Sequence, residues 1–218
     1  MGKEENLKRI IDCGVTAIVR FELSEQLVQV ARAIKAGGVD IIEFTMTTPN
    51  ALAIIEESAR EFGDEVLLGA GTVLDAETAR AAILAGAEFI VSPTLSRATI
   101  EVCRRYSKIV IPGTMTPTEI LTAWEWGADL IKVFPVSQIG GPGYIKAVLA
   151  PLPQVKLVPT GGVNLENAAD FIRAGAVAVA AGSSLVRKKA IAEGDFETLT
   201  ETARKFAAAV REARAEVG

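Results

Sequence analysis

Short apolar runs alternate along the whole chain with stretches whose apolar residues recur at helical spacing. The runs predict β-strands over 15–19, 40–45, 66–69, 88–91, 108–111, 130–134, 156–159 and 177–181. Between them, amphipathic patterns predict helices, among them 26–36, 51–61, 77–84 and 167–173. Glycines follow several of these helices (Gly37-Gly38, Gly63, Gly86, Gly127 and Gly175), where a left-handed stop is expected. Thr116-Pro117-Thr118-Glu119 combines an N-cap, a proline at the first helical position and a capping-box glutamate. Eight strand–helix units in 218 residues predict an α/β fold, a (β/α)8 TIM barrel, with a short N-terminal helix over 4–12 closing the barrel bottom. An open, doubly wound sheet is the architectural competitor. No linker or shift of composition marks a second domain, so one domain over 1–218 is expected.

In such a barrel, strand residues point alternately to the interior and to the helix layer, and chemistry gathers at the carboxyl ends of the strands. Two residues break the apolar rule. Lys132 lies within Leu130-Ile131-Lys132-Val133-Phe134, otherwise a buried strand. Burying an ammonium costs several kcal/mol unless something compensates, and a buried lysine commonly responds by losing its proton. The neutral amine is a nucleophile for carbonyl carbon, which makes Lys132 a candidate Schiff-base residue. A lysine that snorkels outward or pairs with a carboxylate is the plain alternative. On the second strand Glu43, Thr45 and Thr47 share one face, and Ile42, Phe44 and Met46 share the other. Packing the apolar face on helices points Glu43 inward, as an ion-pair partner of Lys132 or as the general acid/base that imine chemistry requires.

Arg20 ends the first strand, where a guanidinium either grips a substrate carboxylate or is an ordinary exposed cation. Leu68-Gly69-Ala70-Gly71-Thr72-Val73 lacks the last glycine of a dinucleotide fingerprint; its glycines are expected to let a ligand approach the backbone beside the Thr72 hydroxyl. Ser92-Pro93-Thr94 and Ile111-Pro112-Gly113-Thr114 read as strand exits directed by proline. Thr160-Gly161-Gly162 follows the seventh strand and Gly182-Ser183 the eighth, the two places where barrels often bind phosphate through backbone N–H groups.

Composition narrows the chemistry further. A net charge of −4 offers no footprint for nucleic acid, and no apolar stretch is long enough to span a bilayer. Two cysteines and a charged amino terminus suit a cytoplasmic protein. The absence of histidine removes the commonest general base and transition-metal ligand, and with only two distant cysteines a zinc site is not expected, although a carboxylate site for a hard cation stays open; no cofactor is expected.

In this order and spacing, Ile42-Glu43-Phe44-Thr45, Gly69-Ala70-Gly71-Thr72-Val73, Val91-Ser92-Pro93, Ile111-Pro112-Gly113, Lys132-Val133-Phe134-Pro135, Pro159-Thr160-Gly161-Gly162-Val163 and Gly182-Ser183 resemble the class I 2-keto-3-deoxy-6-phosphogluconate (KDPG) aldolase family, which includes 4-hydroxy-2-oxoglutarate aldolases. The resemblance spans essentially the whole chain. It implies a metal-independent aldolase, a homotrimer, acting on a small 2-keto acid. By matched position Lys132 forms the Schiff base and Glu43 is the general acid/base. Thr72, Pro93 and Thr160 line the pyruvyl part, while Gly161, Gly162, Gly182 and Ser183 hold the phosphate. Two positions depart from the family pattern. Thr47 stands where some members carry an arginine, leaving Arg20 for the substrate carboxylate, and Val136-Ser137 replaces the Ala-Glu that many members carry after Phe-Pro. Both bear on the choice among KDPG, its galactonate-derived isomer and 4-hydroxy-2-oxoglutarate. A phosphosugar isomerase or epimerase, and a non-catalytic trimeric scaffold, are the other two readings.

Overall fold

The computed structural model describes residues 2–20 and 26–217. The elements run α1 (Lys3–Cys13), β1 (Val15–Val19), α2 (Leu27–Ala36), β2 (Ile41–Thr45), α3 (Ala51–Phe62), β3 (Leu67–Gly71), α4 (Ala76–Leu84), β4 (Phe89–Val91), α5 (Arg97–Arg105), β5 (Ile109–Ile111), β6 (Gly113–Thr114), α6 (Pro117–Glu125), β7 (Ile131–Val133), α7 (Gly141–Leu149), β8 (Leu157–Pro159), α8 (Ala168–Arg173), β9 (Val179–Ala181), α9 (Lys188–Ala192) and α10 (Phe196–Val217). Among the described residues no helix is long and apolar enough to cross a membrane.

Every strand pairing is parallel. Six strands form one sheet in the order β5-β4-β3-β2-β1-β9, and β6-β7-β8 form a second. Two seams join them: a Thr160–Ala180 bridge between β8 and β9, and Asp129 N–H donating to Val110 O at 3.2 Å beside β5. The segment read from sequence as the exit of the fifth strand is instead a continuation of it. Pro112 has no N–H to give, so the ladder breaks there, but Gly113 resumes it and pairs with Lys132. Glycine is required at 113, because a Cβ there would overlap the backbone of Pro93.

Alternation along the strands divides the core as expected. Ile41, Leu67, Phe89, Ile109, Leu130 and Val158 pack together on one face, and α1 adds Ile10 to them. Ile42, Phe44, Leu68, Ile90, Val110, Ile131 and Val133 pack on the other, against the helices. The Thr116 capping box forms as read: Glu119 N–H donates to Thr116 Oγ1 at 3.3 Å, and Thr116 N–H donates to Glu119 Oε2 at 2.8 Å.

The 22-residue α10 was not among the elements named from the sequence. Its buried Leu199, Ala203, Phe206, Val210 and Ala213 recur at spacings of four and three and face α2 and α8. Arg214 ties this helix to the start of the chain. It donates to the orphan carbonyls of Ile11 and of Asp12 (2.6 Å) at the end of α1, and to Val177 O at 2.7 Å. Gly14 lets it approach, with φ +71° and no room for a Cβ beside the guanidinium. Arg214→Ala is expected to cost about 2 kcal/mol, the scale of hydrogen bonds from a charged group. For a chain of this size that lowers Tm by roughly 4–8 °C, measurable by calorimetry.

Candidate active site

One cavity of about 530 Å³ opens at the carboxyl ends of the strands. It brings together all ten residues named from the sequence: Arg20, Glu43, Thr72, Pro93, Lys132, Thr160, Gly161, Gly162, Gly182 and Ser183.

Glu43 projects from β2 and Lys132 from β7, each on the face opposite the helices, because their neighbours Ile42, Phe44, Ile131 and Val133 belong to the helix-facing core. Both are buried, at 1% and 6% exposure. Burial pushes the Glu43 carboxyl above the usual carboxylate range, against the pull of Lys132 and Arg20. Burial also pushes the Lys132 ammonium below the usual lysine range; Arg20 adds to this and Glu43 opposes it. Both groups are thus driven toward their neutral forms, an amine beside a carboxylic acid. Among the described residues neither makes a salt bridge, so the simple ion pair considered above does not form. The Lys132 Nζ lies 5.0 Å from the centre of the Phe134 ring, a wall of the cavity that sequence reasoning did not assign.

The glycines of β3 have a different use from the ligand approach expected of them. A Cβ on Gly69 would overlap the Phe89 ring, and one on Gly71 would overlap Oε1 and Cδ of Glu43 and lie 2.6 Å from its Cγ. Gly71 is therefore the floor over which the Glu43 side chain lies. Thr72, next in the chain, takes φ +56°, a left-handed conformation unusual for a β-branched residue. Such strain costs on the order of 1–3 kcal/mol and survives only where the surroundings impose it. Thr160 is buried, held by its N–H donating to Val133 O at 2.9 Å. Arg20 is exposed at the end of β1 and acts electrostatically on both Glu43 and Lys132. Thr47 is exposed and bonded to Thr45 at 3.0 Å, outside the cavity lining.

The two glycine loops face the cavity as a pair. Gly161 and Gly162 have φ of +87° and +85°, and a Cβ on Gly162 would overlap Ser137, the residue at one of the two departures from the family pattern. Asn167 Nδ2 donates to Gly162 O at 2.9 Å, and Ser184 Oγ donates to Val163 O at 2.7 Å, so the second loop is fastened to the first. Among the described residues the N–H groups of Gly161, Gly162, Gly182 and Ser183 have no protein acceptor. Consecutive free N–H groups around left-handed glycines form an anion-binding concavity. The helices that follow are short, so this cradle rests on backbone N–H groups more than on a helix terminus.

Comparison with known proteins shows the family. Residues 7–202 match the family model described as KDPG and KHG aldolase. The 2-dehydro-3-deoxy-phosphogluconate aldolase of Treponema pallidum (strain Nichols) is 38% identical over 196 residues, covering 90% of this chain and 91% of that one. A solved structure described as native KDPGal is 34% identical with a TM-score of 0.86, covering 92% and 96% of the two chains. The KDPG aldolase of Legionella pneumophila, with pyruvate captured as a covalent carbinolamine intermediate, is 29% identical with a TM-score of 0.83, covering 89% and 95%. This chain belongs to the KDPG and KHG aldolase family.

Proposed function

We propose that this protein is a class I aldolase, a carbon–carbon lyase that cleaves 2-keto-3-deoxy-6-phosphogluconate to pyruvate and glyceraldehyde 3-phosphate through a Schiff base on Lys132. The observation that carries the reading is a buried amine and a buried carboxyl, both driven neutral, in one cavity with a paired-loop anion cradle. The neutral amine adds to the C2 carbonyl, and Glu43 as the acid protonates the carbinolamine oxygen so that water leaves. The iminium then draws electrons from the C3–C4 bond as the Glu43 carboxylate takes the proton of the C4 hydroxyl. The aldehyde departs, and protonation and hydrolysis of the enamine release pyruvate. Thr72, Pro93 and Thr160 flank the pyruvyl unit, Arg20 holds its carboxylate, and Gly161, Gly162, Gly182 and Ser183 take the phosphate. An isomerase, an epimerase or an inert scaffold would leave the amine–carboxyl pair without a use.

The architecture that goes with this chemistry is a single-domain (β/α)8 barrel whose two sheets are arcs of one ring. The Thr160–Ala180 bridge and the Asp129–Val110 hydrogen bond support closure at the two seams. Exposed Leu74, Met115 and Trp124 offer apolar surface for the homotrimer that the family resemblance implies.

Pyruvate release measured across KDPG, its galactonate-derived isomer and 4-hydroxy-2-oxoglutarate tests the assignment. The highest kcat/KM is expected for a phosphorylated substrate; a preference for 4-hydroxy-2-oxoglutarate would overturn the choice of substrate and leave the imine chemistry standing. Arg20 carries a second prediction. Its charge lowers the pKa of both Glu43 and Lys132, so Arg20→Gln is expected to raise both. Both limbs of the pH profile of kcat/KM then move to higher pH, and KM for the keto acid rises by about tenfold or more with the loss of a charged contact.

A further inference from the structure

We propose that Lys188, at the start of α9, is the cation that binds the substrate's phosphate and thereby sets the preference for phosphorylated over unphosphorylated keto acids. This rests on the aldolase reading and adds to it a residue that no motif singles out. Lys188 lines the same cavity as Lys132, Glu43 and the four cradle residues Gly161, Gly162, Gly182 and Ser183. The cavity lining carries three basic residues, Arg20, Lys132 and Lys188, and one carboxyl, Glu43. Arg20 acts on both Glu43 and Lys132, which places it at the reacting end. Lys188 stands at the first position of α9, directly after the loop that carries Gly182 and Ser183.

The cradle formed by Gly161, Gly162, Gly182 and Ser183 supplies only neutral donors, whereas a phosphate monoester carries a charge of about −1.5 to −2 at neutral pH. Lys188 is six residues beyond Gly182 and extends from the loop that completes the cradle. Neighbouring Lys189 has an acidic partner, Glu193 at 3.9 Å, while Lys188 has none among the described residues. An exposed ammonium on a flexible stem, with no acidic partner among the described residues, can close over an anion seated on the N–H groups. The carboxylate and the phosphate of the substrate then each meet one cation that takes no part in the bond-breaking.

Lys188→Gln and Lys188→Arg test the assignment, with KDPG compared against the same keto acid lacking its phosphate. In Lys188→Gln the ratio of kcat/KM values, phosphorylated over unphosphorylated, is expected to fall about tenfold, through KM and not kcat, and Lys188→Arg should restore most of it. Inorganic phosphate titrated calorimetrically into each protein should bind the glutamine variant about tenfold more weakly than wild type. An unchanged ratio with unchanged phosphate binding overturns the proposal, as does an equal fall for both substrates. If wild type released pyruvate from neither substrate, the aldolase reading would fail, and the phosphate titration would still decide the role of Lys188.

Discussion

Lys132→Met is expected to abolish imine formation and to lower kcat by at least about 10⁴-fold, the scale of losing a covalent nucleophile. Methionine keeps the length and apolar bulk of the lysine stem on β7, so the strand and its pairing with Gly113 and Val158 stay intact. Removing an amine that burial already disfavours should leave the melting temperature unchanged or raised, in the manner of strained active-site groups. Incubation with pyruvate, borohydride reduction and mass spectrometry provide the check. Wild type should carry one reduced adduct, on Lys132, and the variant none. An adduct on exposed Lys146 or Lys156 that persists in Lys132→Met would sink the Schiff-base assignment.

Gly71→Ala should be nearly as damaging although it adds a single methyl group. The new Cβ would overlap the Glu43 carboxyl, so the side chain must swing away from its present position. Displacing a catalytic group by about 1 Å costs on the order of 10²-fold, and a general acid/base is worth about 10²–10⁴-fold in total. A fall in kcat of about 10²- to 10³-fold is therefore expected, with the pyruvate adduct on Lys132 still trapped because the amine is untouched. Combined with Glu43→Gln, Gly71→Ala should add little further loss, since both act through the same carboxyl. Fully additive losses in the double variant would mean that the glycine serves some other purpose.

The parts of this site legible in the sequence are those set by periodicity. Apolar Ile42 and Phe44 on one side of the second strand force Glu43 to the other, and the same rule places Lys132. Glycine-rich turns after the last strands could likewise be located by counting units. Contacts between strands could not. Which side chain lies over Gly71 depends on how β2 and β3 are staggered, with Thr45 opposite Gly71 and Glu43 opposite Gly69. The continuation of the fifth strand past Pro112 was hidden because proline signals an ending locally, whereas pairing with β7 decides the matter. Phe134 read as a strand residue, and only the turn of the backbone after Val133 puts its ring beside the amine. The opening helix was legible too: α1 begins and ends within a residue of the helix read over 4–12.

Glu43 belongs to the six-stranded sheet and Lys132 to the three-stranded one. Neither sheet alone holds a reactive group. Before the sheets meet, Lys132 is an ordinary solvated lysine, protonated at neutral pH and inert toward carbonyls. On the mechanism proposed above, its nucleophilicity would arise only when docking strips its water. A nascent or misfolded chain is thereby protected from forming adducts with metabolic aldehydes and keto acids, and covalent capture of pyruvate becomes a reporter of correct assembly.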